Sequence, residues 1–163
     1  MKSTKDVYTI SVDPASRLCG VSLWCNKEYI AAQSLESSLK TWSARAAHLR
    51  VQARKFVTDN LKGDAIVTRA VCELVPKIAE PSIQMICGSI LSDAIFNLDL
   101  SRKFLVSPSS WKAWARRNGC TSKDPKGVPA LVETAFAEKH VIKSDDVADS
   151  IMIFLCWYEK WGV

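Results

Sequence analysis

Apolar residues along this chain fall first into short alternating or continuous runs and later into stretches with helical spacing. VYTISVD (7–13) is β-branched and aromatic and predicts a strand. GVSLWCN (20–26) and KEYIAAQS (27–34) repeat the pattern, with Asn26-Lys27 placed for a hairpin turn, so the opening reads as a three-strand antiparallel meander. From about 41 to 61, Trp42, Ala46, Leu49, Ala53, Phe56 and Val57 recur at helical spacing, and Gly63 lies just past the end. AIVTRAVCE (65–73) is a buried-type strand, suited to the centre of an α/β sheet. A second helix is expected through IQMICGSILSDAIF (83–96) and a short strand in KFLVS (103–107). Ser107-Pro108 then supplies an N-cap and a first-turn proline for a helix carrying WKAWARR (111–117). A polar loop follows at 118–125, and helices at about 128–139 and 144–161 complete the chain. The order βββ-α-β-α-β-α-α-α predicts an α/β fold. Its mixed sheet combines an antiparallel meander with parallel strands and carries helices on both faces.

Length and composition narrow the class. A chain of 163 residues has room for one domain with a substantial core, taken as 1–163, and too little for two. Apolar content of 48% with 24% charged residues excludes a disordered chain. The net charge of +5, from 22 Lys and Arg against 17 Asp and Glu, points only weakly to a polyanionic partner. Its distribution says more: Lys112, Arg116, Arg117, Lys123 and Lys126 crowd into one stretch with Trp111 and Trp114. The six cysteines include no C-x-x-C pair and no zinc spacing, and several lie in apolar runs where a reduced thiol packs as a small hydrophobe. This implies a reducing, cytosolic compartment. The N-terminus lacks a signal-peptide apolar segment, and IMIFLCWY falls far short of the ~20 residues that span a bilayer, so no membrane is expected.

Four acids stand against the apolar runs. Asp13 lies near the end of the first strand and Glu73 ends AIVTRAVCE, which places them on neighbouring strands. Asp146 and Asp149, three apart, share one face at the start of the last helix. Ionised carboxylates are seldom buried unpaired. Gathered together they repel, at roughly 4 kcal/mol for a pair ~4 Å apart and an effective dielectric of about 20. A divalent cation relieves that repulsion, and hard oxygen ligands suit Mg²⁺ or Mn²⁺. Asp13, Glu73, Asp146 and Asp149 are therefore the expected metal ligands of a metal-dependent phosphodiesterase.

In this order the residues resemble the RuvC-like Holliday junction resolvases, a branch of the ribonuclease H-like nuclease superfamily. SVDPASRLCG is similar to the family's I-D-P-G-S-x-x-x-G segment, with Ala15 in place of a glycine. Glu73 resembles the family's strand-end glutamate, and Gly88 follows at a suitable spacing. SPSSWK, ending at Lys112, resembles P-x-x-x-K, Lys123 stands where a second family lysine is expected, and Asp146-Val-Ala-Asp149 resembles D-x-A-D. The resemblance implies a ribonuclease H-like sheet and a homodimer that nicks opposed strands of a four-way DNA junction symmetrically, leaving 5′-phosphate and 3′-hydroxyl ends. It implies two Mg²⁺ per active site, with Mn²⁺ as a substitute. Asp13 would bridge them while Glu73 and Asp146 or Asp149 complete the shells. Lys112 and Lys123 would offset phosphate charge, and Lys77, Arg116, Arg117 and Lys126 would contact DNA. Dimer contacts are expected on the second helix, 82–97, apolar on more than one face. One departure matters: an aromatic wedge common three positions after the glutamate is here Pro76, which leaves junction opening and cleavage-sequence preference undetermined.

Plainer readings stand beside these. Asp13 alone, before Pro14, would be a turn former. Asp145 is assigned to the dipole of its own helix, and Asp64, Asp93 and Asp99 to solvated or capping positions. Lys112 and Lys123 taken singly are ordinary exposed lysines. Trp111 and Trp114 share a helix face, which gives one of them a place in the core rather than in base stacking. His48 reads as structural, and His140, ahead of the last helix, is an outside candidate for an active-site acid. Two rival functions remain open: a ribonuclease H-like nuclease for other branched DNA or RNA/DNA hybrids, and a non-catalytic junction-binding protein. A compact single domain of this kind suits a bacterial or phage repair function.

Overall fold

In a computed structural model of the chain, residues 6–75, 81–91 and 102–162 are described. Strands β1 (Tyr8–Asp13), β2 (Leu18–Cys25) and β3 (Glu28–Glu36) form the expected antiparallel meander. Its second turn is Asn26-Lys27, with Asn26 at φ 54°, a left-handed conformation that asparagine tolerates. Helix α1 (Trp42–Asn60) starts at Thr41, whose hydroxyl accepts from the Ala44 amide at 3.2 Å. It crosses over to β4 (Val67–Glu73), which lies parallel to β1, and β5 (Lys103–Val106) lies parallel to β4. The sheet order is β3-β2-β1-β4-β5. Helix α2 (Pro81–Leu91) lies between β4 and β5 in sequence, and α3 (Pro108–Arg117) begins at Ser107, whose hydroxyl accepts from Ser110 N–H at 3.2 Å.

The pleat decides which residues face which helices. Ile10, Val12, Cys19, Val21 and Leu35 pack with Leu49, Ala53 and Phe56 of α1 and with Ile86 and Ile90 of α2. The opposite face gives Trp24, Val71 and Val106 to Trp111 and Trp114 of α3 and to Ile151, Phe154 and Trp157 of α5 (Asp145–Trp161). Both faces are thus covered, as the element order predicts. On the α5 face the positions alternating with the aliphatic core are small: Ser11 and Ser22 are fully buried. That lets α5 lie close to the sheet, tied by the Ser11 hydroxyl to the Ser150 carbonyl at 2.8 Å.

One expectation changes, and one is only partly covered. The single helix expected at about 128–139 is α4 (Gly127–Val132) followed by a 3₁₀ turn (Ala135–Glu138). Thr134 separates them in an extended conformation, its amide and hydroxyl both bonded back to the Leu131 carbonyl (2.9 and 2.7 Å). The second helix is described only to Leu91; the remainder of the predicted span, with Asp93 and Asp99, lies outside the described residues. All six cysteines are free thiols, five of them buried, which fits their reading as small hydrophobes. Among the described residues no helix is long and apolar enough to cross a membrane.

Candidate active site

Register brings the first two acids together. Val12 pairs with Cys72 across the parallel strands, so Asp13 and Glu73 occupy the next positions of β1 and β4, on strands about 5 Å apart. Across β2, Asp13 is paired with Gly20, and Gly20 with Ser34 of β3. The row Glu73, Asp13, Gly20, Ser34 therefore runs over the sheet on the side that α5 covers.

Gly20 sets how near α5 comes. A Cβ there would collide with the carbonyl of Asp146, so only glycine admits the first turn of α5 onto β2. Asp146 is then held by the hydroxyls of Ser144 and Ser34, at 2.8 and 3.1 Å. One turn on, Asp149 accepts the Gly127 amide at 2.6 Å. Asp145 accepts the Val128 amide at 2.8 Å. Asp145 thus caps the neighbouring α4 rather than serving only its own helix, because α4 has no capping side chain of its own. Glu73 accepts the indole N–H of Trp111 at 2.7 Å.

Charge is crowded at the centre of this row. Burial, and then the charges of Asp149, Glu73 and Asp146, push the Asp13 carboxyl well above the usual carboxylate range. Asp149 is pushed up to about 6, chiefly by burial and partly offset by the Gly127 N–H, with Glu73, Asp145 and Asp146 adding repulsion. Burial also raises Glu73, against the opposing effects of the Trp111 hydrogen bond and the Lys112 charge. Each of Glu73, Asp146 and Asp149 is drawn to a protein donor, and among the described residues no three His, Cys, Asp or Glu side chains close on one point as a metal cage. The donor set nevertheless fits a hard divalent cation in kind. Four carboxylates from three elements repel one another around Asp13 and supply only oxygen.

The cations are arranged by α3 and the loop after it. Lys112 lies near Glu73 and forms an ion pair with Asp124 at 2.5 Å. Arg116 donates to the Lys123 carbonyl at 2.7 Å, so two contacts fasten the loop bearing the exposed Lys123 to α3. Lys126 is exposed immediately before α4. Arg117 turns instead to Glu159 at 3.6 Å, about 15 Å along α5 from Asp149. Lys77 and Pro76 lie outside the described residues.

His140 is not part of the cluster. Its ring packs on Tyr29 and Phe136, with centroids 4.7 and 4.6 Å away, and Tyr29 is roughly 16 Å along β3 from Ser34. His48 bonds Ser37 at 2.9 Å and is structural, as expected. Trp111 and Trp114 are both core residues, 2% and 6% exposed, with indole N–H groups on Glu73 and Glu159. Sequence reasoning gave no site role to Gly20, Ser34, Trp111, Asp124 or Gly127. Gly20 had a signal, the closing glycine of the D-P-x-S-x-x-x-G pattern, whereas nothing in the sequence pairs Ser34 with a residue 112 positions away.

No protein-family model matches this chain. No curated protein matches it either. Its structure is similar to that of Thermus thermophilus RuvC, with TM-score 0.66 and 12% identity over 96% of this chain and 97% of that one. T. thermophilus RuvC in complex with a Holliday junction substrate gives TM-score 0.65 and 10% identity over 96% of both. The fowlpox virus Holliday junction resolvase gives TM-score 0.49 and 14% identity over 94% of this chain and 99% of that one. The likeness to RuvC establishes the ribonuclease H-like fold predicted for this chain.

Proposed function

We propose that this chain is a metal-dependent, structure-selective DNA endonuclease that resolves four-way junctions. The observation that carries the reading is the convergence of four carboxylates from β1, β4 and α5 around Asp13, with Lys112 beside Glu73. Support comes from the fold shared with T. thermophilus RuvC, a protein described bound to a Holliday junction substrate. Asp13, Glu73, Asp146 and Asp149 would hold two Mg²⁺ or Mn²⁺ ions, which lower the pKa of the attacking water and neutralise charge on the phosphodiester.

The chain's own residues do the remaining work. Strands β1 and β4 fix Asp13 and Glu73 side by side, and Gly20 brings the start of α5 down to them. Lys112 exchanges Asp124 for a DNA phosphate, and Lys123, on the loop fastened to α3, meets the same strand. The products carry a 5′-phosphate and a 3′-hydroxyl. Two copies associate through α2, whose Met85 and Gly88 are exposed, so that paired sites nick opposed strands.

A cleavage panel of four-way, three-way, flap and RNA/DNA hybrid substrates, run with and without Mg²⁺, tests the reading. Symmetric cutting of the four-way junction that needs Mg²⁺, and is abolished in Asp13→Asn with junction binding retained, is the expected result. Preference for a flap or a hybrid would move the chain to another ribonuclease H-like activity. Junction binding with neither cleavage nor calorimetric uptake of Mg²⁺ or Mn²⁺ would make it a non-catalytic binder.

A further inference from the structure

Trp111 is one residue from the lysine expected to meet the phosphate, yet it is buried in the core. Its ring is 2% exposed, packed in the layer between the sheet and helices α3 and α5. Its indole N–H reaches the Oε2 of Glu73 at 2.7 Å, across 38 positions of sequence. An indole N–H can only donate, so this bond holds one carboxylate oxygen as an acceptor and leaves the other to face the site. Asp146 is held by Ser144, at the start of α5, and by Ser34 of β3, and Asp149 by the Gly127 amide at the start of α4. Glu73 alone is oriented by a rigid core side chain. The same helix then presents Lys112 at the next position, its Nζ within 5.6 Å of the Trp111 ring centroid.

We propose that Trp111 is a positioning residue for the cleavage site: its indole N–H sets the orientation in which Glu73 offers an oxygen to the bound cation, and its place on α3 ties that orientation to Lys112. This rests on the nuclease reading above. Partners that orient a metal's ligands are worth about 10–100-fold in metal affinity or activity, and a core tryptophan holds a carboxylate more firmly than an exposed side chain can, because its own rotamer is locked by packing.

The test compares Trp111→Phe, which keeps a ring in the core and removes the N–H, with Glu73→Gln and with the double variant. Mn²⁺ binding by calorimetry without DNA, and the Mg²⁺ concentration for half-maximal junction cleavage, are measured on each. Trp111→Phe is expected to weaken Mn²⁺ binding and raise the Mg²⁺ midpoint by about tenfold or more, with saturating Mg²⁺ restoring much of the rate. In the Glu73→Gln background the same change should leave Mn²⁺ binding unaltered, since its effect runs through Glu73. A third readout needs no metal. The indole ¹⁵N–¹H resonance that disappears in Trp111→Phe should shift upfield in Glu73→Gln, where a neutral amide replaces the carboxylate acceptor. An unchanged Mn²⁺ affinity in Trp111→Phe, or an equal loss in the Glu73→Gln background, sinks the positioning role while leaving the nuclease reading intact. A wild-type chain that binds no Mn²⁺ and cuts nothing sinks both.

Discussion

Asp149 is a residue whose charge the fold itself disfavours. Its carboxyl is pushed up to about 6 from an ordinary value of 3.8, so the folded chain disfavours the ionised form. The stability this group contributes is therefore complete below about pH 4 and is lost as pH rises through 6, the reverse of a salt-bridged aspartate. Asp149→Asn removes the charge while its side-chain carbonyl can still accept the Gly127 amide. That variant is expected to be more stable than the wild type by ~1–2 kcal/mol at pH 7.5, a figure discounted for the partial exposure of the group. The gain should vanish near pH 4 and cleavage should be lost throughout. Urea melts at pH 4 and 7.5 measure it, and a destabilised variant at pH 7.5 would show that Asp149 is not under charge strain. Asp13, raised by burial and by the same neighbours, shares this character.

Among the elements, α3 and the loop after it form one unit. Its hydrophobic side carries Trp111 and Trp114 into the core, and its polar side carries Lys112, paired with Asp124, and Arg116, bonded to the Lys123 carbonyl. Lys112 holds the exposed Asp124 carboxyl below its usual range, and the pair is one that a phosphate can replace. Asp124→Ala should leave Tm nearly unchanged, as exposed ion pairs contribute little. It should also tighten junction binding several-fold at low salt, because an anion leaves and a cation is freed. Fluorescence anisotropy titrations at two salt concentrations check this; equal or weaker binding would place Lys112 outside the DNA contact. The break at Thr134 has a related consequence, since α4 is short and has no cap of its own. Its first amides are satisfied by Asp145 and Asp149, so the start of α4 and the acidic turn of α5 are fixed together.

For the whole molecule, the proposed paired nicking requires two copies to associate, and α2 is the surface proposed for it. Gly88 sits exposed on α2, and a Cβ there would meet nothing within 4 Å among the described residues. The described residues therefore leave room for a side chain at this position, and a second copy approaching α2 closely would exclude it. Gly88→Lys should fold with unchanged or slightly higher Tm, helix-interior glycine being costly, yet sediment as a monomer and lose paired nicking of the junction. Sedimentation velocity decides it, and an undisturbed dimer would move the interface elsewhere.

The sequence by itself determined the element order, the hairpin turn at Asn26, the helix starts at Thr41 and Ser107 and the identity of the four acids. These follow from local patterning: period-2 and helical spacing, a capping hydroxyl, and carboxylates set against apolar runs. The span at 128–139 misled, because apolar spacing alone does not reveal that Thr134 bonds back to Leu131. What only the tertiary structure decided is which donors each acid finds. Ser34 reaches Asp146, Trp111 reaches Glu73 and Gly127 reaches Asp149 through strand register and the depth at which α5 lies on Gly20. Such contacts join residues far apart in the chain, so no local period encodes them; they exist only once the sheet and α5 have packed.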